Sequence, residues 1–364
     1  MIFLPIILAA GASYAQTVVK KVVLEDFTGT WCGWCPEGTE VLEDLEAVYS
    51  GTFFPVATHY GDPLEIPEGT AVVDGVDVTG FPSGCVDRVI YQGQVRIPMN
   101  RGYWYSTFMQ RRNATAIASV SFTNLTVDRN SNTFRGKVNV EFVSAPTPGV
   151  PINLQVYVLE DSIKAVGNLA QLNFSDEVQS GASPLANWYH NHTLRKALGD
   201  AWGWSNVVPA TPQLNTKYSK DFEYSVPPNI VVDKVHFLGF AAYNGSAFSQ
   251  KEILNSESIS TTSFTPTSIK NVNAVKKDLS IYPNVVESNQ QINVTYNLAT
   301  SGDVAVNVFD NTGKLVATPF RSYEIAGHHT ANFYASDYKL AAGIYLMQVV
   351  SGNELFTGKL VIKQ

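Results

Sequence analysis

Cys32 and Cys35, in LEDFTGTWCGWCPEG (24–38), carry more chemistry in their spacing than any other pair in this chain, and each follows a tryptophan, Trp31 and Trp34. A thiol is a good nucleophile only as thiolate, and the unpaired N–H groups and partial positive charge of a helix N-terminus favour that form. The sequence puts Cys32 at such a place. Val41, Leu42, Leu45, Val48 and Tyr49 recur at helical spacing beyond Cys35, and Glu37 and Glu40 lie in the opening turns, where the helix dipole favours acids. Cys35, three residues on, can close a disulfide with Cys32 in a ring small enough to be reducible, unlike a staple across a long loop. Three uses stand open: a redox couple, an inert structural disulfide and a metal clip. A structural metal needs about four ligands, and His59 and Cys85 are the nearby candidates, so no metal site and no cofactor are expected. Cys85 itself reads as a small buried hydrophobe rather than a third redox partner.

Other candidates are weaker. His190 and His192 in NWYHNHTLR would share a face on a strand and part on a helix. With no carboxylate or cysteine at matching spacing, a packing or solvated role is expected. Trp188, Trp202 and Trp204 read as part of a second small core. DRNSN (128–132) imitates the start of a calcium loop, but Thr133 and Asn139 stand where that loop needs Gly and Glu, so a hairpin turn is expected. No G-x-S-x-G, H-E-x-x-H or phosphate loop supports a hydrolase or nucleotide reading.

The elements that must position the cysteines emerge from periodicity. VVKKVVLEDF (18–27) reads as a buried strand running into the Cys-rich turn, and the helix comes next. FFPVATHY (53–60) reads as a second strand, and GFPSGCVDRVIYQGQVRI (80–97) as a turn leading into a hairpin around Gln92-Gly93. YWYSTFMQRRN, from Tyr103, reads as a helix. Beyond Ala116 the pattern becomes alternation in ASVSFTNLTVD, TFRGKVNVEFV, INLQVYVLED, DFEYSV and KVHFLGFAAYN, the signature of antiparallel strands in a sandwich. Residues 263–277 lack periodicity and read as a linker. From Asp278 strict alternation returns, broken by Asn-Thr-Gly and Ser-Gly-Asn turns, as in a small β-sandwich.

At 364 residues the chain has room for two or three domains. Its 45% hydrophobic and 12% aromatic residues describe a globular protein and exclude general disorder. A net charge of −7 without a basic run argues against nucleic acid as a partner. Residues 1–15, apolar with small residues at Ser13 and Ala15, read as a secretory signal cut before Gln16, although no Lys or Arg precedes the run. The run is shorter than the roughly 20 residues that span a bilayer, so no transmembrane segment is expected in the mature chain. Three cysteines are too few for a disulfide scaffold.

Around the cysteine pair the sequence resembles the thioredoxin fold. A buried strand carries Asp26 six residues ahead of Cys32, Trp31-Cys32-Gly33-Trp34-Cys35 opens a helix, and Phe81-Pro82 in VTGFPSG looks like that fold's cis-proline loop. The resemblance implies thiol–disulfide exchange with protein or peptide partners. Cys32 would attack and Cys35 resolve, Asp26 would assist proton loss from Cys35, and Pro82 would present backbone to an extended substrate flanked by Trp31, Gly33, Trp34 and Phe81. Glu25 competes for the carboxylate role, since strand alternation points only one of the two towards the cysteines. Trp34 departs from the family by standing where thioredoxin has proline.

LEDFTGTWCGWCPEG, VTGFPSGCVDR and YHNHTLRKALGDAWG together resemble the outer membrane protein 28 family of Gram-negative bacteria, over about residues 20–260. That implies a thioredoxin-like domain and then a β-sandwich on an outer-membrane or cell-surface protein. LSIYPNVVESNQQINVTYNL, VNVFDNTGKLV and LAAGIYLMQVVSGNELFTGKLVIKQ are similar to the C-terminal sorting domain of the type IX (Por) secretion system, with Val285 where that family usually has a second proline. That implies recognition of residues 278–364 by the outer-membrane translocon, then release or surface attachment. The expected organisation is therefore multidomain: a signal at 1–15, an α/β thioredoxin-like domain at 16–115, an all-β Ig-like sandwich at 116–262, a linker at 263–277 and a small sandwich at 278–364. The rival expectation is a non-catalytic surface binding protein or adhesin whose Cys32–Cys35 disulfide is structural.

Overall fold

The computed structural model describes residues 18–268, 279–352 and 354–363. The expected signal and residues 269–277 of the expected linker lie outside the described residues. The chain divides into two compact units, residues 1–267 and 268–364, and each is described by itself.

The first unit begins with β1 (Val22–Thr28), α1 (Cys35–Tyr49), β2 (Phe53–His59), α2 (Pro67–Gly75), β3 (Ser83–Val86) and α3 (Trp104–Arg112). It continues through β4 (Ala118–Asp128), β5 (Thr133–Phe142), β6 (Ile152–Glu160), β7 (Ile163–Lys164), β8 (Tyr189–His190), β9 (Thr193–Leu198), β10 (Lys217–Ser225), β11 (Val235–Tyr243), β12 (Ile253–Ser260) and β13 (Thr265–Ser268). β1 is buried along its whole length, as a strand covered on both faces must be. It pairs parallel with β2 and antiparallel with β3. α1 has Pro36 and Glu37 in its first turn, both suited to a helix start, and buries Leu42 and Leu45.

The division expected at residue 115 is not a division of the sheet. One seven-stranded sheet runs in the order β12-β11-β6-β9-β2-β1-β3, so strands from both sides of that residue share it. The join is narrow: β9 meets β2 at Ala57 and Thr193, and the Ala57 N–H donates to the His192 carbonyl at 2.8 Å. A second sheet, β10-β5-β4-β13, packs on β6 and β11 through Val120, Val138, Phe134, Val156 and Phe237. Two sheets thus share one apolar core, and one of them continues into the cysteine-bearing region. Residues 265–268, read from sequence as linker, form a strand of the second sheet, and Phe264 is buried beside them.

Two local readings change. The hairpin around Gln92-Gly93 does not form. The chain leaves β3 through Asp87 and Arg88, both at positive φ (48° and 52°), and turns their side chains inward. α2 falls in a stretch that sequence leaves irregular; at nine residues it buries only Val72 and Val73 among its larger side chains, too short a stripe to read.

The second unit contains β14 (Ser280–Tyr282), β15 (Val285–Glu287), β16 (Gln291–Leu298), β17 (Gly302–Phe309), β18 (Leu315–Glu324), β19 (Gly327–Tyr334), β20 (Gly343–Ser351) and β21 (Glu354–Lys363). Its sheets, β14-β16-β19 and β15-β21-β20-β17-β18, enclose Val294, Tyr296, Val306, Met347 and Leu360. β16 alternates strictly between buried and more open positions, which is what its alternating sequence requires.

Candidate functional site

The turn between β1 and α1 is closed by the Cys32 N–H donating to the Gly29 carbonyl at 3.0 Å and the Cys35 N–H to the Cys32 carbonyl at 3.1 Å. Cys32 and Cys35 are joined as a disulfide at the N-terminus of α1. Both are covered, at 4% and 1% exposure. The Phe81–Pro82 peptide is cis. Pro82 lies against the first turn of α1, since a Cβ added at Gly38 would come within 3.6 Å of the proline Cβ. Trp31 and Trp34 stand half in solvent on either side, at 44% and 48% exposure. Trp31 donates its indole N–H to the Tyr60 carbonyl at 2.7 Å and meets Phe81 edge-on at 5.4 Å, while Phe81 stacks on Tyr60.

Alternation along β1 separates its two carboxylates. Val22 and Leu24 pack with Leu42 and Leu45 of α1 and with Trp104 and Phe108 of α3. Asp26, two residues further, keeps to that helix-covered side. It is fully buried, neither carboxylate oxygen has a hydrogen-bond partner among the described residues, and burial pushes its carboxyl well above the usual range. Glu25 faces the other way. It takes a bidentate ion pair from Arg88 (2.7 and 2.6 Å), and Arg88 also donates to the Tyr157 hydroxyl at 2.9 Å. Burial works against the Arg88 charge, yet Glu25 overcomes it and raises the guanidinium pKa. Glu25 is therefore held in a buried ion pair on the face away from α1.

Asp87 is the companion knot. It accepts from the Val23 N–H at 3.0 Å and pairs with Lys20 at 2.8 Å and Arg111 at 2.9 Å. Cys85 lies fully buried in a cluster with Phe27, Val73 and Ile97, and burial raises its thiol pKa well above normal, which disfavours the thiolate.

One part of the site gave no signal in sequence. Residues 171–174 run alongside the cysteine turn as a strap. The Leu172 N–H donates to Thr30 at 2.8 Å and the Phe174 N–H to Gly33 at 2.7 Å, while the Gln171 amide donates to the Cys32 carbonyl at 3.0 Å. The Phe174 ring fills the space over Gly33, where a Cβ would fall 2.3 Å from it, and meets Trp34 edge-on at 6.3 Å. Asn173 holds the loop behind the strap by donating to the carbonyls of Ser175, Val178 and Ala182. QLNFSDEVQSGAS is polar and aperiodic and reads as an ordinary surface loop; nothing local shows where it will lie.

The remaining candidates disperse. His190 and His192 part company because His192 has φ 53°. His190 faces His59 at 5.1 Å between ring centroids, with Nε2 2.9 Å from the Leu169 carbonyl. Trp202 stands over the Arg88 guanidinium at 5.1 Å and Trp204 near Lys220 at 5.8 Å. Residues 129–132 make the turn between β4 and β5.

Residues 70–257 match the family described as Outer membrane protein Omp28, and residues 280–363 match the secretion system C-terminal sorting domain. No curated protein matches the chain. Among solved structures, HBP35 of Porphyromonas gingivalis is similar at 21% identity and a TM-score of 0.55, over 95% of this chain and 99% of that one. At that identity the likeness speaks for fold alone. A protein from Agrobacterium tumefaciens aligns at 12% identity and TM-score 0.41, over 68% of this chain and 96% of that one. A domain of the outer membrane lipoprotein Omp28 from Porphyromonas gingivalis aligns at 14% and 0.24, over 42% and 92%. Neither score is high enough to support an argument. No helix of the described residues is long and apolar enough to cross a membrane. The two family matches indicate an exported protein of the cell surface or medium, handled by the type IX secretion machinery through its C-terminal domain. With more than half of its length matched, the chain belongs to the outer membrane protein Omp28 family.

Proposed function

We propose that this protein is an exported, thioredoxin-like thiol–disulfide exchange protein working through Cys32 and Cys35. One juxtaposition carries the reading: a disulfide at the start of α1, a buried carboxylate without a hydrogen-bond partner on the helix-covered side of β1, and the Phe81-Pro82 loop packed on that helix's first turn. A lone buried carboxylate costs stability and is retained where proton transfer needs it. In the reduced protein the Cys32 thiolate attacks a substrate disulfide, forming a mixed disulfide and releasing one substrate thiolate. Asp26 takes the Cys35 proton, and the Cys35 thiolate attacks the Cys32 sulfur, releasing the second substrate thiol and regenerating Cys32–Cys35. The reverse sequence moves two electrons from a substrate dithiol to the protein. Phe81 and Pro82 offer backbone to an extended peptide, with Trp31 and Trp34 as half-exposed apolar flanks; Gly33, expected from sequence to line that surface, is instead covered by Phe174 of the strap. Partners on this reading are protein or peptide thiols and disulfides.

A second reading rests on the burial of both sulfurs and on the strap. Gln171, Leu172 and Phe174 hydrogen-bond to the cysteine turn itself, as they would around an inert disulfide in a surface binding protein or adhesin. The reduction potential separates the two. The purified full chain is equilibrated with glutathione buffers, and alkylated thiols are counted by mass spectrometry. A potential between roughly −270 and −120 mV, with Cys32 alkylating first and Cys32→Ser abolishing exchange with model disulfides, is the expected result. A pair that stays oxidised well below about −300 mV would make the disulfide structural.

A further inference from the structure

We propose that Asp161, His192 and His236 form a binding site for a divalent transition-metal ion, open to a cavity beside the seven-stranded sheet. The topology assembles it. β6 lies between β9 and β11 and is antiparallel to both, so the end of β6 and the starts of β9 and β11 come together at one edge. Asp161 comes just after β6, His192 precedes β9 and His236 is the second residue of β11. Their ligand atoms lie within 4.8 Å of one another: His236 Nδ1 is 3.1 Å from Asp161 Oδ2, and His192 Nδ1 is 3.4 Å from Asp161 Oδ1. Tetrahedral coordination at about 2.1 Å puts donor atoms roughly 3.4 Å apart, so small ring rotations suffice.

The surroundings orient the donors as a metal site requires. His192 Nε2 is 3.1 Å from a carboxylate oxygen of Glu46, on α1. An Nε2–H given to Glu46 leaves the Nδ1 lone pair facing Asp161, the carboxylate–histidine arrangement that fixes tautomer and ring angle behind a ligating imidazole. Asp161 Oδ1 accepts the His192 backbone N–H at 2.7 Å, which holds that carboxylate in place and leaves Oδ2 turned to His236. The left-handed backbone of His192 is a conformation that β-strand pairing does not require; it separates this ring from His190 and sends it to Asp161.

Three protein donors leave positions free for water or a small ligand, the pattern of reactive rather than structural zinc sites. Here they open onto a cavity of about 520 Å³ that Ser162, Ser258 and Ser260 also line. Two histidines with one carboxylate suit Zn²⁺ or another borderline cation better than Ca²⁺ or Mg²⁺.

The test uses the full chain with Cys32–Cys35 oxidised and bound metal removed by chelation. Titration with ZnCl₂ in a calorimeter is expected to give one ion per chain, and Co²⁺ the visible absorption of a tetrahedral site. Asp161→Asn and His236→Ala should each weaken zinc binding at least about 100-fold, and Glu46→Gln by about 10- to 100-fold. Glu46→Gln keeps shape and is the safeguard if the others fold poorly. His328→Ala, at an exposed position in the second unit, should change nothing. No zinc uptake by the native chain, or uptake that survives His236→Ala and Asp161→Asn, overturns the proposal.

Discussion

The two compact units bury different materials. Among the described residues of the second, Ser351 is the one fully buried polar side chain, and the rest of the core is aliphatic or aromatic. The first buries Lys20, Glu25, Asp26, Asp87 and Arg88 around a single strand. Apolar burial alone can hold a small sandwich together. Charges inside a sheet are tolerable only when each has a partner, because desolvation outweighs unpaired attraction. The comparison therefore isolates Asp26. Every neighbouring charge in that cluster is paired, and among the described residues Asp26 has no such partner, which fits the proton-transfer role proposed for it better than a stabilising one.

The contrast can be broken or sharpened by substitution. Arg88→Met leaves Glu25 buried without its cation and should cost about 3–5 kcal/mol; chemical denaturation measures it, and Glu25→Gln in the same chain should recover part of the loss. In the second unit Met347→Ala, at a fully buried position, should cost roughly 3 kcal/mol through lost transfer energy and cavity. Neutralising a polar side chain there should cost far less.

A third test uses acid. Burial first, and His59 second, lower the His190 pKa from 6.5 to about 4. The unfolded chain binds this proton more readily than the folded one, so stability falls as pH drops from about 6.5 to about 4. The loss is on the order of 3 kcal/mol, and His190→Leu should flatten that part of the stability–pH curve.

Asp26→Asn removes an unpaired buried acid and should stabilise the oxidised protein at neutral pH by roughly 1–3 kcal/mol. The sign comes from the raised carboxyl pKa: its favourable protonated form is complete at low pH, and its contribution is lost as pH rises. On the exchange reading the same variant slows reduction of model disulfides, and a stabilised variant with unchanged exchange rate would leave Asp26 without its proposed role. Smallest of all, Lys137→Ala removes a half-exposed pair with Asp221 at 2.7 Å and should change stability by less than about 1 kcal/mol.

Legibility in the sequence divides along the same contrast. β16, β17 and β20 alternate so regularly that one face had to be core, and the cysteine pair announces a helix start by its flanking residues. Alternation also separates Glu25 from Asp26, but only the sheet shows which faces α1. Asp87 and Arg88 look like a charged turn, and their inward rotation depends on Lys20, Arg111 and Tyr157, far away in sequence. The strap at 171–174 is recognised by carbonyls of residues 30–33, which no local pattern encodes. His236 and Asp161 are 75 residues apart and meet only because β6 and β11 pair.

The Glu25–Arg88 pair carries a consequence for how such chains can be recombined. Both members lie before residue 115, but the roof over them does not: Tyr157, Trp202 and Phe240 cover the guanidinium from the later part of the chain. A crossover that transplanted residues 18–115 onto a foreign carrier would bring the salt bridge and leave its shelter behind. The cysteine-bearing segment therefore does not make a self-sufficient cassette: moved alone, it would carry a buried ion pair opened to water on one side.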